Sequence, residues 1–222
     1  MHCPFQTKPR WMRRKDARPQ ELLTAALTVF VERGYAATRL DDVATLAGVS
    51  KGTLYLYFPS KEDLFRAVVR ANLLPVLDEA EQVIDTYQGH SADLLRDFIL
   101  GWWERIGDTP LSGLTKLMMA ESGNFPEVAK FYHDEIISRR DALVIRMLER
   151  GMARGEFRQV DAAHVHMVIV APVLMLTLWK HSFDQYRAEP IPVADYLATV
   201  IDMMMHGLVA PDNPPLPTEK PC

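Results

Sequence analysis

The chain's 222 residues, 48% hydrophobic and 24% charged, suit a globular protein of one large or two small domains. Its two cysteines, Cys3 and Cys222, stand at opposite ends, which excludes a disulfide framework or a cysteine metal site and fits a reducing cytoplasm. The formal net charge of −4 conceals a split: residues 1–70 carry 12 Lys+Arg against 7 Asp+Glu, and the remainder carries 13 against 22. A basic first third on an acidic body is the footprint of a molecule that presents one end to a polyanion.

Residues 1–17 are polar, basic and proline-punctuated and are expected to form a flexible arm, with Arg13 and Arg14 available to a minor groove or to phosphates. Asp16 and Glu21 interrupt the basic region, and Glu32-Arg33 directly follow the apolar run Leu22 to Val31. That is not the layout of a signal peptide. From Arg18, the residues Leu22, Leu23, Ala26, Leu27 and Phe30 keep helical spacing until Gly34, a C-cap candidate.

The run Thr38 to Lys61, TRLDDVATLAGVSKGTLYLYFPSK, is the most informative in the chain. Thr38 is expected to cap a short helix with Leu40, Val43, Ala44 and Ala47 on one face. Gly48 supplies the left-handed residue of a tight turn, and Val49 closes that turn into the core. Ser50 caps a second short helix, Lys51 to Phe58, which Pro59 stops, and Ser60 caps a third opening at Lys61. Two short helices joined by a glycine turn are the unit that lays a helix in the DNA major groove. In the second helix Leu54 and Phe58 form the inward stripe, which leaves Lys51, Thr53, Tyr55 and Tyr57 facing outward or sideways. Lys51 can reach guanine acceptors or a phosphate, Thr53 a thymine methyl, and the tyrosine hydroxyls phosphates. Gly52 permits close backbone approach, and Lys61 lies beside the amides of a helix N-terminus. Pro75 is expected to kink or end the third helix where the chain enters a second domain.

Beyond residue 80 the pattern is helical, with helices expected near 91–107, 110–122, 126–154, 161–184 and 192–209. A proline-rich tail from Pro211 is expected to be disordered. No later stretch is expected to be long and apolar enough to span a bilayer, and His164, His166 and Pro172 argue that 161–184 is a buried helix. That helix is apolar on nearly all sides, more than one monomer core readily uses. His164 and His166, two apart, point away from each other on a helix and cannot clamp one metal, and no catalytic constellation is visible.

Gly34-Tyr35, Thr38, the segment LAGVSKGTLYLYFPSKEDLF from Leu46 to Phe65 and the first helix together resemble the TetR family of bacterial transcriptional repressors. The stretch from Gly113, GLTKLMMAESGNFPEVAKFYHDE, is similar to an AcrR-like branch of C-terminal domains. The resemblance implies an all-α fold: a three-helix helix-turn-helix domain over 18–72 and a helical effector-binding and dimerisation domain over 73–210. It implies a homodimer on double-stranded operator DNA, a small-molecule effector, no cofactor and no enzymatic activity. By motif position Lys51, Gly52, Thr53, Tyr55 and Tyr57 are the groove-facing set, with Tyr57 where many relatives carry histidine. Thr38 and Lys61 are the phosphate contacts, and Arg39 is a further DNA-binding residue. Trp103, Met118, Phe131 and Met147, with Met175 and Trp179, are expected around an effector cavity, Glu121 and His133 serving as polar anchors. Val165, Ile169, Val173 and Leu176 are expected at the dimer interface, extended by Met203 and Met204. The resulting expectation is a cytoplasmic repressor released by a small apolar or amphipathic effector. Its rival is a helical ligand-binding or scaffolding protein that does not bind DNA.

Overall fold

Ten α-helices carry the fold in the computed structural model, which describes residues 10–211, with side chains from Pro19 onward. The start of the expected arm, most of the expected tail and both cysteines lie outside the described residues, as do the side chains of Arg13 and Arg14. Among the described residues no strand forms; one isolated antiparallel bridge joins Phe157 to Val209. The chain divides into two compact units between Ala71 and Asn72.

The first unit holds α1 (Arg10–Ala37), α2 (Leu40–Leu46), α3 (Lys51–Tyr57) and the start of α4 (Lys61–Thr86). Helix α1 starts at Arg10 rather than Arg18, because the Arg, Met, Lys and Ala residues ahead of Pro19 are good helix formers. Gly34 interrupts it with φ 80° and ψ 169°, a backbone conformation essentially confined to glycine. That break turns Tyr35 inward, where its ring packs on Phe30 and Phe65 at centroid distances of 5.8 and 5.4 Å. Gly48, at φ 65°, makes the turn between α2 and α3. Leu40, Val43 and Ala44 are buried on α2, but on α3 only Leu54 is.

Two local expectations are corrected. Thr38 does not cap α2: the N-cap is Arg39, with no side-chain hydrogen bond. Thr38 is 3% exposed and its hydroxyl donates back to the Gly34 carbonyl at 2.6 Å and the Val29 carbonyl at 3.4 Å. Its hydroxyl is thus spent on carbonyls of α1 rather than on the start of α2. Pro75 does not end α4, which continues to Thr86. Leu73 and Leu77 on either side are fully buried, and packing outweighs the one backbone hydrogen bond that a proline forfeits.

The second unit comprises the rest of α4, then α5 (Ser91–Trp102), α6 (Ser112–Glu121), α7 (Pro126–Tyr132), α8 (Ser138–Ala153), α9 (Ala162–Ser182) and α10 (Val193–Leu208). Wider π-helical turns follow α5 at Trp103–Gly107 and α7 at His133–Ile137. Arg139 and Arg146 on α8 reach Asp78, Glu81 and Asp85 on α4. Glu156, 5% exposed, accepts from the Ser91 amide at 2.8 Å and Arg154 Nε at 2.7 Å, which joins the start of α5 to the loop after α8.

Gly151 on α8 faces the fully buried Phe157 ring, and a Cβ built there would lie 2.1 Å from it. Overpacking of this kind costs about 1–3 kcal/mol, offset by up to ~1 kcal/mol of helix propensity. Gly151→Ala is therefore expected to lower the melting temperature by about 2–8 °C in a calorimetric scan. An unchanged or raised value would show that Phe157 has room to retreat.

Helix α9, 21 residues with a mean hydropathy of 1.8 in its best window, is long and apolar enough to cross a membrane, which corrects the expectation that no stretch is. Its inner face, Ile169, Val173 and Leu176, is nevertheless buried in the second unit.

Candidate functional site

Helix α3 begins at a cap that works as its residue types require. Ser50 Oγ accepts from the Thr53 amide at 3.1 Å and lies 2.9 Å from Thr53 Oγ1, so Thr53 is half-buried and oriented by its own helix start. Lys51 projects outward and pairs with Asp41 of α2 at 2.9 Å. Hydrogen bonding to Asp41 and its charge hold the Lys51 ammonium above the ordinary lysine range. A pair this exposed is readily exchanged for a stronger anion, so Asp41 stations the ammonium without trapping it. The Lys51 ammonium also stands 5.6 Å from the centre of the Tyr55 ring, and Tyr55 is 41% exposed. Tyr57 is half-buried beside Phe58.

The remaining expected contacts differ in kind. Lys61 donates to the Tyr35 and Ala36 carbonyls at 2.7 and 3.1 Å and covers the Tyr35 ring at 4.6 Å, closing the end of α1. Thr38, turned inward, offers no hydroxyl to a phosphate, whereas Arg39 beside it is exposed. Leu56 was not anticipated. It is 82% exposed between the two tyrosines and extends the α3 surface with an apolar side chain of the kind that packs on thymine methyls. Its position off the Leu54–Phe58 stripe was the available signal.

The second unit contains a chamber of about 670 Å³ between α6, α7, the π-turn after α7, α8 and α9. Met118, Met119, Ile137, Met167 and Leu174 are among its apolar residues, with Thr115, Tyr132, Arg140 and His166 among its polar groups. A narrower space of about 40 Å³ adjoins it, sharing Thr115, Arg140, Val170 and Leu174. Of the side chains expected around a cavity, Met118 and His133 line it. Trp103, Phe131 and Met147 are buried core. Trp103 is held under Gly107, where a Cβ would lie 2.3 Å from its ring. Glu121 does not line the chamber, and Met175 and Trp179 project from the outer face of α9. Arg140 was missed, although it continues the buried stripe of Val144, Met147 and Gly151 on α8, and a charge on an apolar stripe is a signal in its own right.

The faces of α9 also sort differently from expectation. Ile169, Val173 and Leu176 pack inward and Val165 is half-buried. The exposed apolar residues are Met167, Val168, Met175 and Trp179, from 37% to 65% exposed. On α10 Met203 is exposed and Met204 half-buried. Among the described residues no three His, Cys, Asp or Glu side chains converge as a metal site would need.

A helix-turn-helix whose second helix keeps its polar and aromatic face outward, followed by a helical unit with a chamber of its own, is the layout of a DNA-binding transcriptional regulator. Residues 22–68 match the description "Bacterial regulatory proteins, tetR family" and residues 85–191 match "Tetracyclin repressor-like, C-terminal domain". The HTH-type transcriptional regulator YfiR of Bacillus subtilis is 31% identical over 207 residues, covering 84% of this chain and 93% of its own. The repressor KstR2 of Mycolicibacterium smegmatis is 26% identical over 204 residues, covering 83% and 89%. Among solved structures, FadR of Bacillus subtilis in complex with stearoyl-CoA superposes with a TM-score of 0.70 at 21% identity, covering 85% of this chain and 98% of its own. A regulator of Saccharomonospora viridis in complex with choline superposes at 0.73 and 20%, covering 88% and 100%. The chain belongs to the TetR family of bacterial transcriptional regulators.

Proposed function

We propose that the protein is a homodimeric, cytoplasmic repressor that binds a pseudo-palindromic operator and leaves it when an apolar or amphipathic effector fills the chamber. The observation that carries this reading is the outer surface of α3. Lys51, Gly52, Tyr55 and Leu56 are exposed while Leu54 alone is buried, so the helix spends its surface on an outside partner rather than on the fold. The repressor names of NicS and KstR2 and the stearoyl-CoA complex of a structural relative support the same assignment. The outer apolar residues of α9, with Met203 of α10, supply the face that a second copy would cover. A two-fold pair sets its recognition helices one helical turn apart, about 34–36 Å, or more on wider operators. An effector then acts only through its differential affinity for the bound and released forms.

Electrophoretic mobility shift with the DNA upstream of the protein's own coding sequence tests the reading. The expected result is a sequence-selective complex of a dimer that weakens steeply as salt rises. A protein that shifts no fragment selectively would instead be the helical ligand-binding or scaffolding protein of the rival reading, and a selective complex of a monomer would overturn the homodimer.

Gly52→Ala isolates the DNA contact from the fold. A Cβ there meets nothing nearer than Ser50 Oγ at 3.9 Å, and alanine favours a helix over glycine by about 0.5–1 kcal/mol. The variant is expected to melt no lower than wild type yet bind its operator about tenfold more weakly, the methyl having pushed the helix from the DNA. Undiminished binding would show that no close backbone approach occurs at Gly52.

A further inference from the structure

The polar groups of the chamber select one chemical class of effector, an inference that rests on reading this chamber as the effector site. Arg140 is the only charged side chain common to the chamber and the narrow space beside it, so its guanidinium marks their junction. It is largely buried, with 16% of its side chain exposed, and its counter-ion is Asp141, whose Oδ1 accepts from Nε at 2.9 Å and from NH2 at 2.6 Å. Neighbours in sequence do not face each other on a helix, so the guanidinium bends sideways to reach this acid. The hydroxyls of Thr115 and Tyr132, 3.0 Å apart, line the same chamber as Arg140. One of those two hydroxyl hydrogens bridges the pair and the other remains to be donated. Burial pushes the Tyr132 hydroxyl above its ordinary range, so it stays a neutral donor. Among the described residues Asp141 is the only carboxylate lining the chamber, and Lys130 at its edge pairs with Asp134.

We propose that the effector is an amphipathic monoanion: a carboxylate received by Arg140 and the Thr115–Tyr132 hydroxyls, with an apolar body against the chamber methionines. A planar guanidinium fork matches a carboxylate in two parallel hydrogen bonds. Asp141 gives way without being stranded, since a quarter of its side chain is exposed and water can take the place of the guanidinium. A cationic head is disfavoured because it would meet the largely buried guanidinium of Arg140 at the junction. The methionines, flexible and polarizable, fit an apolar body of loose shape.

Isothermal titration of the full-length protein with decanoate, decanol and decylamine tests the assignment, because the three share one chain and differ in the head. Decanoate is expected to bind about ten- to a hundredfold more tightly than either of the others. Arg140→Met is expected to bring the decanoate-to-decanol ratio to about one, and Arg140→Lys, which keeps the charge and loses the fork, to leave it in between. The lysine variant also serves if the methionine variant does not fold. Equal binding of all three compounds, preference for the amine, absence of binding by any, or an unchanged ratio in both variants each overturns the proposal. Operator binding by the ligand-free wild type, measured alongside, separates the two readings. Its loss defeats the regulator, whereas its presence without carboxylate preference defeats only the effector class.

Discussion

Replacing Lys51 and Tyr55 together by alanine is expected to weaken operator binding by about a thousandfold or more while leaving the fold intact. Each side chain stands on the exposed surface of α3, and a lost base or phosphate contact costs about 1–3 kcal/mol. On a two-fold operator both losses occur twice, so the effect multiplies. Neither side chain is buried, and Leu54, which anchors α3, is untouched, so melting hardly moves. The salt dependence identifies the partner of Lys51. If the ammonium meets a phosphate, the slope of log affinity against log salt falls by about 1 per half-site. If it meets a guanine, the slope holds and discrimination at one base pair relaxes. Fluorescence anisotropy over a salt series reads both, and wild-type affinity in the double variant would remove α3 from the interface.

Glu156→Gln is expected to be the most damaging polar substitution in the second unit. The carboxylate is buried and receives the Ser91 amide and Arg154 Nε, with Arg150 a further 3.8 Å away. An amide retains one acceptor oxygen but turns a donor toward these donors and leaves the arginines without their counter-charge. Breaking a buried pair costs about 3–5 kcal/mol, reduced toward about 2 where a partner such as the half-exposed Arg154 can reach water. A fall of about 4–12 °C in melting temperature follows.

The pH dependence carries the same signature. Burial raises the Glu156 carboxyl, but hydrogen bonds from Ser91 and Arg154 outweigh it and hold the group below the ordinary value of 4.5. A folded-state value below the unfolded one means that stability is present in full above about pH 4.5 and is lost as pH falls through the lower, folded value. Wild type is therefore expected to lose melting temperature on acidification below that point, and Glu156→Gln to lose less of it. Parallel acid profiles for the two proteins would assign the acid sensitivity to other carboxylates.

What was legible in the residues depended on whether a local rule had one solution. Gly48 after a capped amphipathic turn, Ser50 three residues before Thr53, and Ser60 three before Asp63 act within a few residues of themselves, and each does so here. Thr38 failed the same logic because its competitor was not local. The Gly34 carbonyl of α1 claimed its hydroxyl, and Lys61 was drawn to the next two carbonyls of the same chain end. Pro75 failed because a helix buried on both sides of a proline survives it.

By itself the amino-acid sequence determined the all-helical class, the helix-turn-helix and its outward side chains, since helical period, caps and turn glycines are short-range properties. Only the tertiary structure decided the phase of α9 and the walls of the chamber. A helix apolar on every side has no preferred face until α6 and α8 pack against one, and that packing put Ile169, Val173 and Leu176 inside and left Val168, Met175 and Trp179 outside. The chamber likewise gathers Thr115, Tyr132, Arg140 and His166 from separate helices. Their chemistry converges in space without any spacing along the chain that could have announced it.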